Sequence, residues 1–420
     1  MTLAFLLVIH ALLAYGLTGS GVLGGVLLFA LFARLGGARK ALVAAASLAV
    51  STLALAGLIE AADLDRVVNW RPHEVLSVHD PVTGIKRYRK DASLRMDDVP
   101  GDLAHMTTEP IARRRSLEFR TDELGFRNDR PFRAQRFLVV GDSFVAGVGN
   151  TQAEILTEQL AARHAPDYYN LGYPGDVLEY EAMVDAFPSA EPRVLLFRFE
   201  GNDFPEALEA PDPEGEGFLH HYVRMFRDTG IYRVMRYLRK GLDTGGDGDE
   251  AGVGGDGGGK GGAPVRIEQT AIGSFAFHTR YVEVTRRAAA TPLPELEAAL
   301  QRMAGRIHRV YFVPTKYRVY QPILWPEETL PHAQWEYLAG VCARLDLRCE
   351  DLTPALVRRS LELWPERRLT YWPDDTHWSA EGIAVAADAV HAAVGGEAEW
   401  EPRREDRGEA GAPPSGAAGH

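Results

Sequence analysis

The sequence predicts an α/β domain built on a parallel sheet covered on both faces, with two membrane-crossing helices ahead of it. Two observations carry this: short apolar runs rich in β-formers alternate with amphipathic stretches from about residue 120 onward, and two charge-free apolar segments fill most of the first 60 positions.

The apolar segments come first. No charged side chain occurs from Leu3 to Phe32, nor from Ala41 to Ile59. Each run reaches or nearly reaches the roughly 20 residues that a helix needs to cross a bilayer. A cleaved signal peptide fits the first run poorly, because the segment lacks a basic start and exceeds the roughly 7 to 15 apolar residues of such peptides. Arg34, Arg39 and Lys40 lie between the runs, and Glu60, Asp63 and Asp65 follow the second. The positive-inside rule then puts the turn in the cytoplasm and the rest of the chain in the periplasm or outside the cell. Residues 1–60 are thus expected to form a transmembrane helical hairpin. Gly16, Gly19, Ser20, Gly21, Gly24 and Gly25 offer small surfaces for close helix contact, so a membrane acyl-donor protein is one candidate partner. The same residues serve equally to pack the hairpin on itself.

Residues 61–115 show no strong period and read as an irregular lead-in with short strands. After them Arg136–Val140 is the first clear buried strand, ending at Gly141. Further strands are expected at Tyr168–Leu171, Val194–Phe199, Val310–Val313 and Leu347–Leu352. The stretches Gln152–His164, Leu293–Arg306, His332–Leu345 and Ala380–Val394 read as helices. An insertion at about 205–265 interrupts the alternation. Its part from 242 to 263 is mostly Gly and Asp and cannot offset its ordering entropy, so a flexible loop is expected. Before it, Phe218–Lys240 reads as a helix, a lid or a packing insert. Residues 399–420, rich in Gly, Pro, Ala and charge, read as a disordered tail.

A formal net charge of −12 argues against a nucleic-acid partner, which would need a basic surface. Cys342 and Cys349 are the only cysteines, too few for a disulfide scaffold or a four-ligand zinc site. They are expected either to form one disulfide across a helix-to-strand loop or to remain two buried thiols.

Candidate chemistry gathers at strand ends. Gly141-Asp142-Ser143 follows the first strand, where ligands bind in open α/β sheets, although the tripeptide is also ordinary turn chemistry. Asn170-Leu171-Gly172-Tyr173-Pro174-Gly175 ends the second strand, and Gly201-Asn202-Asp203 the third. Near the C-terminus Asp374-Asp375-Thr376-His377-Trp378 opens a helix. Loops that follow successive parallel strands share one sheet edge, so these residues can meet. Ser143 is then a nucleophile, His377 its base, and Asp374 or Asp375 the carboxylate that orients the imidazole. Backbone N–H groups of Ser143 and Gly172, with the Asn202 amide, are the expected oxyanion donors. This chemistry requires no metal or other cofactor.

In these four blocks residues 120–395 resemble the SGNH/GDSL hydrolase superfamily, with Leu124-Gly125-Phe126-Arg127 similar to a lead-in seen in membrane-anchored members. The resemblance implies a flavodoxin-like three-layer fold over about 116–398, and ester hydrolysis or acyl transfer. The third block departs from the family pattern, its glycine standing directly before Asn202. The usual spacing of three would select Asp374. The Asp-Thr-His-Trp form is similar to the alginate O-acetyltransferase branch, where a spacing of two selects Asp375, and the branch's Pro-Thr-Lys with a following tyrosine matches Pro314-Thr315-Lys316 and Tyr320. Asp375 is favoured. An ester-bearing substrate such as an O-acylated cell-envelope polysaccharide is implied. The alternative is a non-catalytic envelope protein that binds a glycan or partner on the same fold.

Other residues have structural readings. Asp142 and Asp203 are expected to brace their loops; His73, His79, His105, His164 and His278 lack ligand-like spacing. Trp364, Trp372 and Trp378 suit either a sugar cleft or the core.

Overall fold

The computed structural model describes residues 71–79, 85–133, 135–163, 168–175, 177–187, 193–204 and 264–394, together with Ser51, Ala54 and Leu58, which are helical. The rest of the expected hairpin, His164, residues 205–263 with the expected helix Phe218–Lys240, and the tail 399–420 lie outside the described residues. Among the described residues no helix is long and apolar enough to cross a membrane.

The lead-in is more regular than its aperiodic sequence suggests. A short helix α1 (Pro72–Leu76) runs into β1 (Ser77–His79), which pairs antiparallel with β2 (Lys86–Tyr88). A second antiparallel pair joins β3 (Ser93–Val99) to β4 (Arg115–Arg120), with a 3-10 turn at Leu103–Met106 between them. Tyr88, Phe119 and Phe126 enter the main core, so this segment is packed onto the domain.

The domain centres on five parallel strands: β5 (Phe137–Gly141), β6 (Tyr168–Gly172), β7 (Arg193–Phe199), and, beyond the antiparallel hairpin β8 (Val265–Thr270) and β9 (Gly273–His278), β10 (Ile307–Val313) and β11 (Cys349–Asp351). Their spatial order is β11-β10-β7-β5-β6. Counted within the sheet, that is 2-1-3-4-5. Connections leave β5 in opposite directions, and such a reversal opens a crevice at the carboxyl ends of the strands.

Helices flank both faces, which is why the strands read as continuous apolar runs. On one face Leu138, Val140, Leu196 and Phe312 pack with α3 (Val177–Asp185), α5 (Pro294–Met303) and α7 (Ala333–Arg344). On the other, Phe137, Val139, Leu195 and Tyr311 pack with α2 (Leu156–Arg163), α6 (Lys316–Leu324), α8 (Thr353–Leu363) and α9 (Ala380–Val394). The remaining helix, α4 (Thr279–Thr285), follows the β8–β9 hairpin.

Boundaries differ from expectation at several elements: the strand expected from Val310 begins at Ile307, and the helix expected to reach Arg306 ends at Met303. The first turn of the helix expected over 152–164 is a 3-10 turn at Gln152–Glu154, and α2 begins only at Leu156. The last strand is three residues long, since Leu347 and Arg348 belong to the turn that leads into it. Cys342 and Cys349 form a disulfide that ties α7 to β11, so the two-thiol alternative is set aside.

Candidate active site

The turn after β5 sets Ser143. Asp142 Oδ1 accepts the Phe144 N–H at 2.9 Å, and the Asp142 carbonyl accepts the Ala146 N–H at 3.0 Å. Ser143, half-buried, projects from that braced turn. Arg127, fully buried, holds the turn from below by donating to the carbonyls of Ala146, Gly147 and Asn150 at 2.8–3.0 Å.

His377 arrives from the loop before α9. Tyr371 and Trp378 form an antiparallel bridge that closes this loop, and the His377 carbonyl accepts the Trp372 N–H at 3.1 Å. His377 Nε2 lies 2.7 Å from Ser143 Oγ, and Nδ1 lies 2.6 Å from Asp375 Oδ1. With a carboxylate on one side and a hydroxyl on the other, Nδ1 carries the proton and Nε2 accepts. Asp375 Oδ1 also accepts the His377 N–H at 3.1 Å, which fixes the ring's approach.

The two adjacent aspartates have different partners. Asp375 Oδ2 takes Arg115 Nη2 at 2.8 Å. Asp374 does not meet the imidazole: its Oδ2 accepts from the Gly101 and Arg113 N–H groups at 2.9 and 2.6 Å, and its Oδ1 from Arg115 Nη1 at 3.0 Å. A carboxylate loaded with three donors has its lone pairs committed to the lead-in segment. Gly101 is obligatory for that contact, because a Cβ there would fall 2.0 Å from the Asp374 carbonyl oxygen.

Electrostatics follow this geometry. Burial alone would raise the Asp375 pKa, but His377, the hydrogen bond to it and the Arg115 guanidinium hold it far below the ordinary carboxylate range. Burial alone would lower His377; the Asp375 carboxylate and its hydrogen bond, then Asp102 and Asp142, outweigh that and raise it above its usual value.

Lys316 acts from behind the loop. Its Nζ, fully buried, donates to the carbonyls of Ala276, Trp372, Pro373 and Asp375 at 2.6, 2.8, 2.9 and 3.2 Å. Burial lowers its pKa to about 7 despite the nearby carboxylates of Asp374, Asp375 and Asp102. Four carbonyls aimed at one ammonium tie the β9 strand to both sides of the loop that carries His377.

A cleft of about 280 Å³ opens beside Ser143, lined by Lys86, Asp142, Pro174, Gly175, Glu179 and Asn202. Asn202, after β7, thus shares the cleft with Ser143. Gly172 does not. Its N–H donates to the Asn170 side chain at 2.7 Å, and a Cβ there would lie 2.2 Å from Ala146 N. The expectation that Gly172 supplies an oxyanion donor is therefore corrected: it is the contact point of β6 against the Ser143 turn, and Gly175 is the glycine at the cleft. The signal was in the sequence, since an Asn two residues before a glycine is placed to accept its N–H.

Asp203 accepts the Phe199 N–H at 2.7 Å, a loop brace. Trp378 is buried against Phe144, and Trp364 packs on Phe275 and Tyr320. Trp372 lies under the Arg115 guanidinium at 4.4 Å and lines a second cavity with Arg113, Arg367 and Arg368, which Ser143 does not line. Among the described residues one group of metal-capable side chains lies together, Asp102, Asp375 and His377. Asp102 and Asp375 already accept N–H donors, which suits a hydrogen-bonded relay. Sequence reasoning missed Asp102 and Arg115, whose only mark is charge in an aperiodic segment. The chain matches no protein-family model, and no curated protein is significantly similar to it in sequence.

Proposed function

We propose that the chain is a serine ester hydrolase or O-acyltransferase of the SGNH type, working through an acyl-enzyme. The observation that carries this reading is the continuous line Ser143 Oγ to His377 Nε2 at 2.7 Å and His377 Nδ1 to Asp375 at 2.6 Å. The sheet order 2-1-3-4-5, which is that of flavodoxin-like folds, and the seating of Ser143 at the order reversal support it further.

In this reading Ser143 Oγ attacks an ester carbonyl while its proton passes to His377 Nε2. The Ser143 N–H, the Asn202 amide and the Gly175 backbone face the developing oxyanion. His377 returns the proton to the leaving alcohol, leaving the acyl group on Ser143. Water then regenerates the enzyme as an esterase, or a sugar hydroxyl does so as an acyltransferase. The expected tether and the resemblance to the alginate branch favour an O-acylated cell-envelope polysaccharide as substrate, with the domain outside the cytoplasm.

The test is labelling of the full-length protein by a fluorophosphonate, comparing wild type with Ser143→Ala and His377→Ala. Labelling of wild type alone is expected. A folded wild type that stays unlabelled overturns the reading and favours the non-catalytic alternative.

A further inference from the structure

Asp102 comes from the lead-in, just before the Leu103–Met106 turn, and reaches the catalytic loop across 273 positions of sequence. Leu103 and Ala104 N–H groups donate to the Asp374 carbonyl at 3.1 and 3.3 Å, and Leu103 sits in a small core with Ile111, Val265 and Ala276. The segment is therefore fixed against the loop. Asp102 itself is buried. Its Oδ1 accepts the Thr376 N–H at 2.8 Å and its Oδ2 the Thr376 hydroxyl at 2.5 Å. That same Oδ2 stands 3.7 Å from His377 Nδ1.

We propose that Asp102 is a second carboxylate of the His377 relay, a positioning residue that holds Thr376 and adds its charge to the Nδ1 side of the ring. The proposal rests on the reading of His377 as the base. A simple loop brace would need only the contact to Thr376. The distance to Nδ1 is too long for a hydrogen bond, yet it lies within the roughly 4–6 Å over which an opposite charge shifts a titration by about 1–3 units.

The other charged groups facing this cluster are Arg71 and His73 at α1, Arg115 from β4, Asp142 beside Ser143, Asp374 and Asp375 in the loop, and Lys316 from α6. Burial and the neighbouring Asp375 charge push the Asp102 pKa up to about 6, against the pull of His377, Arg71 and the Thr376 hydroxyl. Asp102 is thus ionised when the enzyme faces neutral pH, and its charge then favours the imidazolium that forms as Ser143 attacks.

The test is an NMR titration of full-length protein carrying ¹⁵N-histidine, with the His377 signals identified by their loss in His377→Gln. Asp102→Asn keeps an acceptor for the Thr376 N–H while removing the charge. Its His377 midpoint is expected to fall by about one pH unit. Thr376→Val, which removes the hydroxyl that bridges to Asp102 and stands 3.3 Å from Nδ1 while leaving the charge, is expected to move the midpoint by clearly less than Asp102→Asn does. An unmoved midpoint in Asp102→Asn, or an equal shift in Thr376→Val, overturns the proposal. Wild type supplies a check that needs no variant: its His377 midpoint is expected above the ordinary histidine value, and a midpoint at or below that value overturns the proposal. Fluorophosphonate labelling of the same wild-type sample reads the acyl-transfer reading separately, because the titration is visible whether or not Ser143 reacts.

Discussion

Arg115 holds Asp374 and Asp375 together, one guanidinium nitrogen to each carboxylate, at 3.0 and 2.8 Å. The pairing lets two adjacent negative charges stay buried in one loop while only Asp375 faces the imidazole. A planar fork can reach both oxygens; a point charge cannot. Arg115→Met is expected to cost about 3–5 kcal/mol of stability, since it strands two buried carboxylates. Arg115→Lys is expected to recover part of the stability but not the labelling rate of Ser143. Thermal melts and labelling kinetics on the same preparations check this, and a lysine variant with wild-type labelling would refute the forked role.

Gly172 and Gly175 are expected to respond in opposite ways. A Cβ on Gly172 meets the Ala146 backbone, which cannot move without shifting the nucleophile turn. Gly172→Ala should therefore lose about 2–3 kcal/mol of stability by overpacking, with labelling lost in step. At Gly175 the added methyl meets the Glu179 side chain, whose far end can swing away. Gly175→Ala should keep its melting temperature while the rate falls, if this glycine lets substrate approach. Equal melting temperatures for the two variants would contradict the assignment.

How the site was written in the sequence follows from the same contacts. Ser143 and Asn202 were legible because each follows a buried strand whose apolar run ends abruptly, and His377 because a compact polar block precedes α9. The two family spacings pointed to Asp374 and to Asp375, with Asp375 favoured by the resemblance; what makes Asp375 meet His377 is that Asp374 is taken by donors from Gly101, Arg113 and Arg115, more than 250 positions away. Gly172 misled because its N–H has a local partner in Asn170. The lead-in looked irregular since its strands are short and paired at one side only, with alternation such as that of Ser93–Val99 diluted by exposed charge. Its contribution to the site lies in single side chains, Asp102 and Arg115, and no period marks those.

The pH dependence has two separable parts. In the proposed mechanism His377 would serve as base only when neutral, and its pKa is raised, so kcat/KM for an ester such as p-nitrophenyl acetate should climb with pH through a midpoint above the ordinary histidine value. Stability should move differently. The Asp375 pKa is depressed on folding, so its contribution is present above the unfolded carboxylate value near 4 and declines as pH falls below it. Lys316 is lowered to about 7, so the unfolded chain binds the extra proton between about pH 7 and 10 and stability should rise with pH across that window. Denaturant midpoints measured from pH 3 to 10 check both signs. A Lys316→Met variant should lose the rise above pH 7.

Asp375→Asn and Asp374→Asn offer the sharpest contrast, because the substitutions are isosteric and the residues adjacent. In Asp375→Asn the side chain would present an amide where His377 Nδ1 needs an acceptor, favouring the wrong tautomer and costing on the order of 10⁴ in turnover, the size of the corresponding loss in serine proteases. The protein should still fold, for Arg115 keeps Asp374. In Asp374→Asn the carboxylate facing the ring is untouched, so labelling of Ser143 should stay within about tenfold of wild type. Stability should fall instead, since an amide cannot accept from the Gly101 and Arg113 N–H groups and also from Arg115 as a carboxylate does. Turnover and melting temperature measured side by side decide it. The reverse pattern, with Asp374→Asn inactive and Asp375→Asn active, would mean that the loop rearranges around substrate and that the other spacing is the working one.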